Sequence, residues 1–180
     1  HFDHYGYMYS DEEIRQRKTE RNIKLLLQEI EKNPSDPYTN YQLGKSYISS
    51  LKNNDALFYI ENSYNLYNKR GRVPIFVIQD LIALYSALKL HIKCENLCMK
   101  YIKNDKKNID IYYYLAISQN YLGKYKESIK SFERYLYLIK NYEISTQGNN
   151  MEASLDTGQK KDIAKIIIIE TYYKLVMYDK

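Results

Sequence analysis

Three stretches of this chain place matching residue types at matching distances from a leading leucine. Ala56, Cys94 and Ser128 lie thirteen residues past Leu43, Leu81 and Leu115. Ile60, Cys98 and Phe132 lie at seventeen, and Ser63, Tyr101 and Tyr135 at twenty. Steps of four and seven return a side chain to one face of an α-helix. Each stretch therefore holds a second helix whose inner face is fixed relative to the first. The leading leucines are 38 and 34 residues apart, so the unit recurs. A recurring unit of this length means stacked hairpins.

The third stretch, 110–138, is the clearest. Leu115-Ala116 is followed by Leu122-Gly123, then Tyr125, Ser128, Phe132 and Leu136. It reads as a helix, a tight turn at Gly123-Lys124 and a second helix. Glycine suits the turn because left-handed backbone angles cost it nothing. The large–small pair Leu115-Ala116 lets the partner helix come close. The pattern resembles the tetratricopeptide repeat, whose period is about 34 residues. That resemblance implies an all-α fold of helical hairpins wound into a right-handed superhelix. Gln119 and Lys89 depart from it, standing where an aromatic residue and a glycine are preferred. The longer first interval fits the turn at Lys69-Arg70-Gly71-Arg72, just before Pro74.

Composition agrees. Six Gly and three Pro among 180 residues are too few for many short strands, and 44% hydrophobic with 27% charged residues is ordinary for a globular chain. The 22 Tyr, together with abundant Ile, Lys and Asn, share adenine/thymine-rich codons, which points to an AT-rich bacterial genome. The net charge of +5 is spread thinly, without the basic stripe that nucleic acid requires. The most apolar run, 166–169, is four residues long, far short of the ~20 residues of a membrane helix. No nucleic-acid or membrane partner is therefore expected. Cys94 and Cys98 stand four apart on one helix, a spacing of about 5–6 Å at Cβ against the roughly 3.8 Å of a disulfide. Two buried thiols and a reducing compartment, the cytoplasm, are expected. No catalytic constellation and no phosphate-binding glycine loop is present, so the fragment itself is expected to be neither an enzyme nor a cofactor carrier.

The boundaries follow from turn chemistry. Ser10 followed by Asp11-Glu12-Glu13 reads as a helix start, and Ile23, Leu26, Leu27 and Ile30 give that helix one apolar face. Asn33-Pro34 ends it. Asp36-Pro37 opens the next helix, with Asp36 as cap. The expected organisation is a tail over 1–10, a pre-repeat helix over 11–33, and repeats over 36–180. The repeats divide into about 36–69, 74–105 and 108–142, a polar loop over 143–158, and a terminal half-repeat over 159–180 led by Ile168. By this alignment Lys180 falls where a fourth second helix would begin, so either the array continues beyond it or the last helix acts as a cap.

The N-terminal part carries a second resemblance. His4-Tyr5-Gly6-Tyr7, the charged segment Lys18–Leu26, Asn33–Pro37 and Tyr41–Gly44 occur here in one order. That order resembles bacterial inverting glycosyltransferases of family two with C-terminal tetratricopeptide repeats, relatives of the peptide S-glycosyltransferases. The resemblance implies an upstream catalytic domain that uses a nucleotide sugar and a divalent metal, with His4 as a candidate metal ligand. It implies a peptide or protein acceptor as partner, or a homodimer. The alternative is a stand-alone repeat scaffold with no enzyme attached.

First helices of such repeats line a groove. Helical periodicity places Tyr38, Tyr41, Lys45 and Ile48 there from the first repeat, Gln79 and Ser86 from the second, Tyr113, Asn120 and Tyr121 from the third, and Tyr173 from the terminal helix. Tyrosine brings large contact area with few rotors, which suits peptide binding.

Overall fold

The computed structural model describes residues 11–103, 105–146 and 155–178. The expected tail, with His4 and the Ser10 cap, lies outside them. Among the described residues there are eight α-helices and no strand: α1 Asp11–Lys32, α2 Pro37–Ser49, α3 Asn53–Lys69, α4 Ile75–Ala87, α5 His91–Ile102, α6 Ile109–Tyr121, α7 Tyr125–Thr146 and α8 Leu155–Tyr178. The chain divides into two compact units at Leu81/Ile82, inside α4.

In the first unit α1 packs on α2, and α2 pairs with α3. Asp36 caps α2 as expected, accepting hydrogen bonds from the Thr39 backbone N–H and hydroxyl, both at 2.7 Å. Burial pushes the Asp36 carboxyl up, but the Thr39 hydrogen bonds and the charge of Arg70 more than offset that and leave it below its ordinary value. Leu43, Ala56 and Ile60 are fully buried. Ser63, at offset twenty, spends its hydroxyl on the Pro37 carbonyl at 2.7 Å.

In the second unit α5 packs on α6, α6 pairs with α7, and α8 packs on both α7 and α6. Ala116, Phe132, Tyr135, Ile139 and Ala164 form one buried cluster. Two of the three residues at offset thirteen share a role. Ser128 Oγ donates to the Ala116 carbonyl at 2.8 Å, and Cys94 Sγ to the Ile82 carbonyl at 3.7 Å. Both bonds reach back twelve residues, so Cys94 does in its hairpin what a serine does in the next. Cys94 and Cys98 are free and buried, and the hydrogen bond with Cys94 together with burial pushes the Cys98 thiol up.

The turns inside the hairpins are built alike. The Lys52, Leu90 and Lys124 amides reach back five residues to the Tyr47, Tyr85 and Gln119 carbonyls at 2.8–2.9 Å. The residue before each amide, eight past the leading leucine, is left-handed: Leu51 and Lys89 at φ 58°, Gly123 at φ 75°. This is the Schellman closure of a helix C-terminus. Only the third turn has its glycine. Leu51 is 85% exposed, so no packing depends on its side chain. A left-handed L-residue costs roughly 1–2 kcal/mol, against about 0.4–1 kcal/mol for the greater entropy of unfolded glycine. Leu51→Gly and Lys89→Gly should each raise stability by about 0.5–1 kcal/mol in urea unfolding; a loss of stability in both would refute the turn assignment.

The C-terminal boundaries differ from expectation. Helix α7 continues through 143–146 and α8 begins at Leu155, so the two ends of the expected 143–158 loop are helical, and 147–154 lies outside the described residues. Polar residues without proline do not stop a helix, and one glycine, Gly158, costs only about 1 kcal/mol against alanine. The terminal half-repeat accordingly starts before 159. On its inner face Ala164 and Thr171 are fully buried, and half-buried Ile168 packs between them on the core cluster.

Candidate functional site

In the first unit side chains of α2 meet the start of α4. Tyr38 is 53% exposed and stands 6.5 Å, ring to ring, from half-buried Tyr41. The Tyr41 ring rests against Phe76 at 4.7 Å and 55°. Its hydroxyl donates to Asp80 Oδ2 at 2.8 Å. Lys45 Nζ reaches the same carboxylate, 3.0 Å from Oδ2 and 3.2 Å from Oδ1. Burial pushes the Tyr41 hydroxyl up, and the bond to Asp80 and its negative charge add to the shift. Tyr41 is therefore neutral at any physiological pH. Lys45 spends its charge locally, so the patch offers aromatic area and hydrogen-bonding edges around a neutralised ion pair.

Tyr38, Tyr41 and Lys45 come together in this patch. Ile48 and Gln79 are half-buried. Two participants were missed. Phe76 lies five residues before Leu81, as Tyr38 lies five before Leu43, so aligning the leading leucines would have found it. Asp80 carried no such signal, because the residues one before the other leading leucines are Gln42 and Tyr114.

Beside this patch, between α1 and α2, is a cleft of about 350 Å³ bordered by Lys18, Arg21, Asn22 and Ser46. Asn22 Nδ2 donates to Ser46 Oγ across it at 3.0 Å.

The second unit sorts its candidates differently. Tyr113 packs into the core, edge-on to Phe132 at 6.1 Å and tilted against Tyr135 at 5.2 Å. Asn120 donates to the buried Thr171 hydroxyl, which itself donates to the Ile167 carbonyl at 2.6 Å. Asn120 thus ties α6 to α8. Tyr121 is 68% exposed and stacks on His91 at 4.3 Å and 5°. Burial, with the charge of Lys89, pushes His91 below its ordinary pKa, so its ring faces Tyr121 neutral near pH 7. Asn120, Tyr121 and Tyr125 border a second cleft, about 330 Å³, closed on the α8 side by Ile167, Glu170 and Lys174. Tyr173 is exposed and Ser86 half-buried. Among the described residues no three His, Cys, Asp or Glu side chains are grouped so as to hold a metal, and no helix is long and apolar enough to cross a membrane.

No protein-family model and no curated protein sequence matches the chain. Solved structures do match. A crystal structure of MamA protein superposes with a TM-score of 0.63 at 16% identity, covering 94% of this chain and 91% of that one. MamA residues 41 to the end from Desulfovibrio magneticus RS-1 give 0.62 at 14% identity, covering 92% and 88%. YrrB, described as a TPR protein with an unusual peptide-binding site, gives 0.59 at 12% identity, covering 88% and 84%. At these identities the likeness is one of fold. The chain has the all-α, tetratricopeptide-type fold.

Proposed function

We propose that this region is a protein-interaction module that holds a peptide or protein segment on the first-helix face of its N-terminal unit. The observation that carries this reading is the exposed aromatic surface of Tyr38, Tyr41 and Phe76, held by the Asp80–Lys45 pair. Aromatic side chains in pre-set positions give contact area at small entropic cost. The description of YrrB, a protein of like fold, names a peptide-binding site and supports the class of ligand. An immobilised array of peptides, probed with the whole chain, tests it. Tyr38→Ala with Tyr41→Ala should weaken the peptides that bind by tenfold or more, the loss of about 1.4 kcal/mol expected when a binding centre is removed. Helical circular dichroism should stay the same. Undiminished binding in the double variant would place the site elsewhere.

We further propose that the module belongs to a glycosyltransferase and that the held segment is its acceptor. This rests on the resemblance carried by His4–Tyr7, Lys18–Leu26, Asn33–Pro37 and Tyr41–Gly44. In this reading the divalent metal and the nucleotide sugar belong to an upstream catalytic domain, with His4 reaching the metal from the tail over 1–10. The helix 11–33 joins that domain to the repeats, and the two free thiols suit the cytoplasm. The gene sequence upstream of His1 decides the matter. A β-α-β pattern ending in an acidic metal motif supports the enzyme; a start codon directly before His1 leaves the stand-alone scaffold.

A further inference from the structure

The cleft between α1 and α2 gathers positive charge that the described residues do not neutralise. Lys18, Arg21 and Lys45 border it, and no acidic residue does. Lys45 is bound to Asp80. Lys18 and Arg21 are exposed, and no hydrogen bond or ion pair joins either to another described residue. Elsewhere α1 pairs its charges three residues apart, Arg15 with Glu12 and Lys32 with Glu29. Around the cleft it does the reverse. The residues three and four away from Lys18 and Arg21 include Arg15, Arg17 and Lys24 and no Asp or Glu. Like charges at these spacings destabilise a helix, so this turn of α1 calls for an anion from outside it.

A polar wall completes the cleft. Asn22 Nδ2 gives one proton to Ser46 Oγ at 3.0 Å, and Ser46, which is buried, donates onward to the Gln42 carbonyl at 3.0 Å. The chain of bonds fixes the amide and leaves its second proton for a ligand. The cleft also joins the aromatic patch. Lys45 borders it, and the Asp80 carboxylate that holds Lys45 also holds the Tyr41 hydroxyl. Tyr41, Lys45 and Ser49 follow at four-residue steps on one face of α2, so patch and cleft lie ~12 Å apart at 1.5 Å per residue. An extended peptide covers that span in about four residues.

We propose that this cleft binds a phosphoryl group, and that the segment held on Tyr38, Tyr41 and Phe76 supplies it as a phosphorylated side chain about four residues from the one on the aromatic patch. The second half rests on the peptide-holding function proposed above. Charge selects a phosphoryl group over a carboxylate. A phosphomonoester carries about −1.5 to −2 near pH 7, which matches the two cations left once Lys45 is bound to Asp80; a carboxylate would leave one of them uncompensated. The donors agree. Arg21 presents a planar fork, Lys18 an ammonium group and Asn22 its spare proton, enough to meet three phosphoryl oxygens. The volume of about 350 Å³ lies within the ~300–1,000 Å³ of small-ligand sites.

The test probes the whole chain with an array in which each peptide appears three times, with serine, glutamate or phosphoserine about four residues from an aromatic residue. The phosphoserine versions should bind at least about tenfold tighter than the serine versions, the gain of one charge-assisted contact. Their advantage over glutamate should shrink from pH 7.5 to 5.5, because the phosphate regains its second proton near pH 6 and the carboxylate does not. Lys18→Gln with Arg21→Gln should make the three versions bind alike. Lys32→Gln with Lys69→Gln, an equal loss of charge elsewhere in this unit, should keep the preference. Separately, O-phospho-L-serine alone should shift the amide resonances of Asn22 and Ser46, and should not in the Lys18/Arg21 variant. Peptides that bind equally in all three versions overturn the proposal and leave the aromatic patch standing. No amide shift up to ~10 mM phosphoserine, the range of weak single-group binding, overturns the site itself. Amide shifts without any bound peptide support the cleft and overturn the patch. Inorganic phosphate bound as tightly as the best phosphopeptide makes the free anion the ligand and overturns the held segment as its source.

Discussion

Phe132→Ala is expected to lower the stability of the C-terminal unit by about 3–5 kcal/mol, the usual cost of removing a fully buried phenylalanine. Phe132 has no exposed surface and sits in one cluster with Ala116, Tyr135, Ile139 and Ala164, drawn from α6, α7 and α8. Tyr113, Tyr112 and Ile117 close around the same cluster from α6, and Ile167 and Ile168 from α8. Three helices therefore lose contacts at once, and none can move into the gap without leaving another partner. Urea unfolding followed by circular dichroism reads the effect. A loss below about 1 kcal/mol, nearer to that of a surface change, would mean that the α6–α7 hairpin does not pack through offset seventeen.

Gly44→Val should cost about 3 kcal/mol by overpacking. A Cβ on Gly44 would lie 2.6 Å from both Ile60 Cδ1 and Cγ1, and 3.2 Å from the Ile60 backbone nitrogen. Ile60 is fully buried and cannot swing away. The helix-propensity gain of leaving glycine, well under 1 kcal/mol for valine, is too small to compensate. The informative measurement is the double variant. Ile60→Ala alone should cost about 2–5 kcal/mol through its cavity. Combined with Gly44→Val, the two losses should fall short of their sum by at least about 1 kcal/mol, because one change fills what the other empties. Simple additivity would show that the two positions do not meet.

Much of this was legible in the sequence, for a physical reason. Offsets thirteen, seventeen and twenty record which residues of a second helix point at the first, and burial restricts those positions strongly. The same holds for Asp36 and Pro37, where the start of α2 needs a side-chain acceptor and a residue with no N–H to satisfy. Legibility failed where contacts join residues distant in the chain. Asp80 serves both Tyr41 and Lys45, 39 and 35 residues away, and nothing local in Gln79-Asp80-Leu81 announces it. Tyr113 has the right helical phase for the groove, yet its ring turns toward Phe132, because phase fixes the direction of a Cβ and not where a long side chain ends. At Lys89 the turn forms without the preferred glycine. Backbone hydrogen bonds to Ser86 and Tyr85 close it, and they hold a lysine in the left-handed region. The ends of α7 and α8 were misread because polarity was taken as a helix stop.

The contact between the two helices of a hairpin has one further consequence. One residue past the leading leucine and sixteen later stand Gly44 and Ile60, Ile82 and Cys98, and Ala116 and Phe132; a Cβ on Gly44 would meet Ile60, and Ala116 and Phe132 share one core cluster. In each pair one member is small and the other large, but the second hairpin reverses the order. A description that scores each column alone counts Ile82 and Cys98 as two separate departures from the repeat. Scored jointly they are a single exchange. The information that defines this fold is thus partly held in correlations between columns, and substitutions that are costly one at a time cost less than their sum when made together.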